Sequence, residues 1–245
     1  MSSESHSHRV KAAKELAWDD EALHALLLDR SEEVVLTILR RPDFPPALYA
    51  KLPDLPPPAV RLFLAKVEPL EEARLLRLSR DLLADVRKRM AQRRTLSAEH
   101  FDMLANDSEV LVKRELAQRD DCPASWLQKW SLDPSEWLRR AALANHRVTS
   151  EVLAKASVLA DNHREIAEHL LTPTEILTRL ADSQDVFVRG AVAKNPNTPE
   201  TVLSQLARDA DSFPRLNVAS NKVCPLSLLR ELENDPDFVV RRHVV

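Results

Sequence analysis

Glycine is nearly missing from this chain. Gly190 is the only one in 245 residues, against an average usage of about 7%. Glycine opens left-handed turns, phosphate-cradling loops and nucleophile elbows. Its scarcity therefore disfavours hairpin-rich sheets, nucleotide cradles and serine-hydrolase elbows. Cysteine is as sparse, with Cys122 and Cys224 alone, too few for a secreted disulfide framework or a cysteine-ligated cluster. There is no excess of basic charge. Lys and Arg total 35 against 38 Asp and Glu, a net charge of −3, unlike a dedicated nucleic-acid binder. Nor is there an apolar run long enough for a membrane span, and the opening MSSESHSHRVKAAKELAWDDEA is polar, so a soluble cytoplasmic protein without a membrane partner is expected.

What is abundant is proline, sixteen residues of it, together with a 44% hydrophobic content. Proline is tolerated at the start of a helix, where a missing backbone donor costs nothing, so many short helices are predicted. They recur. Asp185, Asp211 and Asp237 begin segments 26 residues apart, and in that register Arg189, Arg215 and Arg241 align, as do Val192, Val218 and Val244. Asn195 matches Asn221, Pro199 matches Pro225, and Leu203 and Leu206 match Leu229 and Leu232. Going backwards, Pro173, Leu177 and Leu180 keep the register, one unit is about two residues short, and weaker matches reach Tyr49 and Leu52. Roughly eight units span residues 31–245, after a polar segment 1–30 with a capping helix.

Each unit has a short apolar run followed by a second run that starts at proline. Val202, Leu203 and Leu206 share one face at helical spacing. Thr198, Pro199 and Glu200 read as N-cap, first helical residue and first-turn acid. Helices this short are marginal alone, so stacking between units must stabilise them. Leu177, Leu203 and Leu229 are predicted to form one buried column.

The pattern D-x-x-V-R-x-x-V-A-x-N-P-x-T-P-x-x-x-L-x-x-L-A-x-D, nearly whole from Asp185 to Asp209, resembles the leucine-rich-repeat variant, a HEAT-like bacterial repeat. The resemblance covers about residues 31–245, strongly after 105 and weakly before 80. It implies an all-α, right-handed superhelical solenoid of paired short helices, α with α or 3₁₀. One member type carries an N-terminal iron–sulfur cluster. With no cysteine before Cys122, that cluster is not expected here.

Several residues are candidates for chemistry. The recurring arginines could read carboxylates or phosphates, but each follows an acid by four residues, as Asp185 precedes Arg189, and a structural ladder explains them better. Residues 61–94 hold ten basic and five acidic side chains. Within them Arg87, Lys88, Arg89, Arg93 and Arg94 form a candidate site for an anionic partner, whose binding would be salt-dependent. Trp126, Trp130 and Trp137, near Asp133 and Glu136, resemble the aromatic-plus-carboxylate sites of some HEAT-like DNA glycosylases. The repeat register instead places Trp130 with Leu180, Leu206 and Leu232, as core. Cys122 and Cys224 share one position and suit filling or capping, while the histidines, including His6, His8, His146, His163 and His169, make no ligand set at zinc-site spacing. No catalytic residue, cofactor or metal is expected. Repetition without a catalytic constellation points to a non-enzymatic scaffold that binds a protein or peptide on its surface. Nucleic-acid binding through the basic stretch and the tryptophans is the alternative.

Overall fold

A computed structural model describes residues 3–244. Among them are eighteen short α-helices, two 3₁₀ segments and no strand, an all-helical solenoid of stacked helical pairs. Apart from the N-terminal helix Ser3–Glu15, the α-helices run six to nine residues, below the length that holds together alone in water. Their contacts divide the chain into two compact units, residues up to Leu116 and from Ala117 onward.

In the second unit the pairs are regular: Glu136–Leu143 with Ser150–Ala156, Val186–Lys194 with Glu200–Leu206, and Ser212–Ala219 with Leu226–Leu232. The second helices of the pairs bury Leu153, Leu177 and Leu203 completely, and Leu180, Leu206 and Leu232 behind them. Leu229 is only half-buried, because after it comes the single helix Phe238–His243 instead of a full pair. Trp130 lies in the leucine column as the register predicts, its side chain wholly in the core. The first unit begins with Ser3–Glu15 and Glu21–Leu26 and includes Pro58–Leu64 with Glu72–Ser79 and Ala84–Ala91 with Ala98–Ala105. Its core holds Leu23, Leu27, Leu64, Met90 and Leu104.

Two hydrogen-bonded columns tie each repeat to the next. In the first, an arginine reaches the aspartate twenty residues on. Arg61 meets Asp81 at 2.6 and 3.1 Å, Arg87 meets Asp107 at 2.6 and 2.9 Å, Arg189 meets Asp209 at 2.7 and 3.0 Å, and Arg215 meets Asp235 at 2.8 and 3.0 Å. The third guanidinium nitrogen donates to the carbonyl six residues back, as Arg189 does to Ser183 and Arg215 to Asp209. Each aspartate Oδ1 also accepts the backbone N–H two residues ahead, fixing the turn that enters the next helix. The ladder is therefore real, but the acid four residues earlier is not its main partner. Asp185 instead caps its own helix by accepting from the Phe187 N–H. In the shortened unit His163 and Ser183 stand at the arginine and aspartate positions and keep the local bonds of the rung. His163 Nε2 meets the Ser157 carbonyl at 3.1 Å, again six residues back, and Ser183 Oγ accepts from Asp185 N–H in the aspartate's place. Arg9 and Asp29 make the same twenty-residue pair at 2.7 Å, so the motif extends into residues 1–30.

The second column is asparagine. Asn145, Asn195 and Asn221 each donate Nδ2–H to the carbonyls 28 and 26 residues earlier, at 2.7–3.1 Å. Each Oδ1 accepts the backbone N–H two residues ahead. One side chain thus makes two backbone bonds across a repeat boundary and a third within its own turn.

The start of the proline-led helices differs from the sequence reading by one residue. Pro199 is the N-cap and the helix begins at Glu200. The Thr198 hydroxyl turns back to donate to the Val192 carbonyl at 2.5 Å, as Thr172 does to Ile166, and so tethers the two helices of a pair instead of capping.

Candidate functional site

The basic stretch separates into inward and outward groups. Arg87 is a ladder rung, held by Asp107 and by the carbonyls of Asp81 and Leu82. Its pairing raises its pKa, chiefly through the hydrogen bond to Asp107. Arg93 is buried. Its Nη1–H groups donate to the carbonyls of Ala65 and Val67, 28 and 26 residues earlier, so it occupies the asparagine column and does the asparagine's work with a longer arm. Lys88 lies half-buried, 3.8 Å from Glu115. Arg89 is half-buried and Arg94 exposed, and neither makes an ion pair among the described residues. Of the five, Arg87 and Arg93 hold repeats together, which leaves Lys88, Arg89 and Arg94 able to face a partner.

The tryptophans do not assemble a base-binding site. Trp126 and Trp130 lie against each other with ring centroids 5.3 Å apart, Trp130 is closed in the core, and Asp133 Oδ1 is engaged by the Ser135 N–H. Trp137 is 68% exposed.

That exposure belongs to a feature the sequence reading missed. Phe187, 53% exposed, sits on the first helix of its pair, with Phe213 and Val239 exposed at the same position 26 and 52 residues later. Leu111 and Trp137 extend the same register backwards. In the second unit, the Phe187 and Phe213 rings meet edge-on at 5.6 Å and 65°. The guanidinium of Arg164 lies 5.8 Å from the Phe187 ring, and that of Arg241 lies 5.9 Å from Phe238. Gly190 belongs here too. A Cβ at that position would stand 2.3 and 2.5 Å from Phe213 ring carbons, so the chain's one glycine, within the helix Val186–Lys194, gives the ring its seat. Large apolar residues recurring at this repeat position, interrupted by Asp161 in the shortened unit, were the available signal.

Neither thiol is activated toward the thiolate. Burial, with the nearby Asp121 carboxylate adding to it, pushes Cys122 up to about 12, and burial raises Cys224. Each S–H points to the carbonyl of the following proline, at 3.8 and 3.7 Å. Two such thiols do not form the thiolate set that an iron–sulfur cluster needs. Among the described residues no group of three or more His, Cys, Asp or Glu side chains could hold a metal ion, and no helix is long and apolar enough to cross a membrane.

These columns define an α-solenoid repeat protein. The leucine rich repeat variant family model matches residues 186–211, one repeat of the stack. The chain's fold is similar to a solved structure described as a leucine-rich repeat variant with a novel repetitive protein structural motif. The TM-score is 0.56 at 24% identity, over 76% of this chain and 80% of that one. A comparison with curated proteins returns no match.

Proposed function

We propose that this protein is a non-enzymatic interaction scaffold that takes a protein or peptide segment on its first-helix face in the second unit. The observation that carries the reading is the solvent-facing apolar column of Phe187, Phe213 and Val239, with a glycine giving up side-chain contacts to seat one ring. Interface energy concentrates in a few aromatic anchors, and a contiguous exposed apolar patch marks an interaction site more often than it marks nothing. Lys194 lies seven residues after Phe187 and Arg242 three after Val239, on the same helical face by spacing. Both are exposed and neither makes an ion pair among the described residues. The fitting partner therefore offers apolar side chains interleaved with acids.

The test is retention of partners from native extract by the wild-type chain and by Phe187→Ser/Phe213→Ser, followed by affinity measurement with the purified partner. Losing two anchors should weaken binding at least about thirtyfold, the equivalent of ~2 kcal/mol for a hot spot, with the far-ultraviolet spectrum unchanged. Equal affinity of the two proteins would remove the reading. Nucleic-acid binding is the second reading, drawn from the outward Lys88, Arg89 and Arg94. With Arg87 and Arg93 turned inward, three phosphate contacts remain, so log K should fall with log salt at a slope near about −3. Under the scaffold reading, duplex DNA shows no salt-sensitive binding near physiological ionic strength.

A further inference from the structure

In the first unit, Arg74 stands where the other repeats place His100, Trp126, Val152, Ile176, Val202 and Leu228, a position that is apolar from Trp126 onward. It is 6% exposed. Its nitrogens donate to the carbonyls of Pro53, Tyr49 and Leu52 at 3.1–3.3 Å, its Nε–H is buried without an acceptor, and no carboxylate pairs with it among the described residues. Burial draws its pKa below the usual arginine range, against the pull of Glu71 and Asp54. A buried cation without a counter-ion is strongly unfavourable, and the three carbonyls leave its charge and its Nε–H unmatched.

Arg74 lines a cavity of about 280 Å³. Leu64 and Leu78, both buried, contribute to its walls, as do the exposed Leu55 and the 92% exposed Leu82. Three more guanidiniums line it. Arg61 is neutralised by Asp81 and Arg77 by Asp54, but Arg80 is exposed and has no ion pair among the described residues. The lining thus carries two uncompensated positive charges beside leucine walls. We propose that this cavity binds an organic carboxylate with a short apolar body, its anionic end between Arg74 and Arg80 and its hydrocarbon against the leucines. Benzene occupies a cavity of ~150 Å³, so about ten non-hydrogen atoms fit here, the size of a medium-chain acid or a C-terminal leucine. The site is independent of the apolar column in the second unit.

The experiment is calorimetric titration of the full chain with octanoate, with 1-octanol as the neutral control, and with N-acetyl-leucine, N-acetyl-leucinamide and inorganic phosphate. Octanoate should bind one to one, at least about tenfold more tightly than octanol, and less tightly at high salt. Competition by N-acetyl-leucine, but not by its amide, would identify a chain terminus as the source of the carboxylate; competition by neither leaves a free acid. Arg80→Ala, a surface change, should weaken octanoate about tenfold. Arg74→Met should abolish octanoate binding, but because it also removes the bonds to the Pro53, Tyr49 and Leu52 carbonyls it should lower the melting midpoint as well, so the surface variant Arg80→Ala carries the test. Octanol binding as well as octanoate, phosphate binding in its place, or undiminished octanoate affinity in Arg80→Ala would each overturn the proposal.

Discussion

Single side chains here are read most clearly through their repeat position. Arg93 and Arg74 both count toward the basic excess of residues 61–94, yet each is buried and bonded to backbone carbonyls. The register held the clue in both cases: Arg93 lies 52 residues before Asn145, and Arg74 lies 52 before Trp126. Net charge counts cations without regard to which way they face, so the inward turn was not legible in composition. Gly190 permits a test at this scale. Alanine is about 1 kcal/mol better than glycine inside a helix, but a Cβ there meets the Phe213 ring. Gly190→Ala should therefore stabilise a Phe213→Ala background by ~1 kcal/mol and the wild type by clearly less, as read by chemical denaturation. The thiols give a second test. Cys122 is fully buried and held protonated, so in the native protein at pH 8 iodoacetamide should alkylate Cys224 well before Cys122. Equal rates would contradict the packing described.

At the scale of elements, the period, the helical pairs and the leucine columns were all legible, because apolar spacing reports which face a helix buries. The partner of each ladder arginine was not. Arg189 has Asp185 four residues before it and Asp209 twenty after, and only the path of the connecting helix and turn brings the second carboxylate to the guanidinium. Threonine before proline was ambiguous for a similar reason: a hydroxyl there can cap forward or tether backward, and the buried Val192 carbonyl decides it. Asparagine is the least replaceable of these links. Asn195→Ala should lose its two carbonyl bonds and a turn contact, at about 1–3 kcal/mol for each buried group left unpaired, and the amides of both adjacent repeats should exchange faster. Loss of protection in one repeat alone would count against a bridging role.

For the whole molecule, stability resides in the boundaries between repeats, as expected of a quasi-one-dimensional stack. The ladder carboxylates then set the acid limit. Burial raises the carboxyl pKa of Asp107 and Asp209, but the hydrogen bonds from Arg87 and Arg189 and the turn amides outweigh it and hold both low. For Asp235 the bond from Arg215 is the largest influence and lowers it. Carboxyl groups lowered by folding stabilise the native state above the unfolded value of about 4 and lose that contribution as pH falls through their native values. The midpoint of thermal unfolding should therefore be flat in its carboxylate contribution from about pH 5 upward and drop steeply below about pH 4. Asp209→Asn should flatten part of that drop. The most direct test of a stack held at its boundaries is a pair of double-mutant cycles by equilibrium unfolding, Arg189→Ala with Asp209→Ala and Arg189→Ala with Asp185→Ala. The expected result is a coupling of roughly 1–3 kcal/mol for the twenty-residue pair and little for the four-residue pair; the reverse order would contradict it.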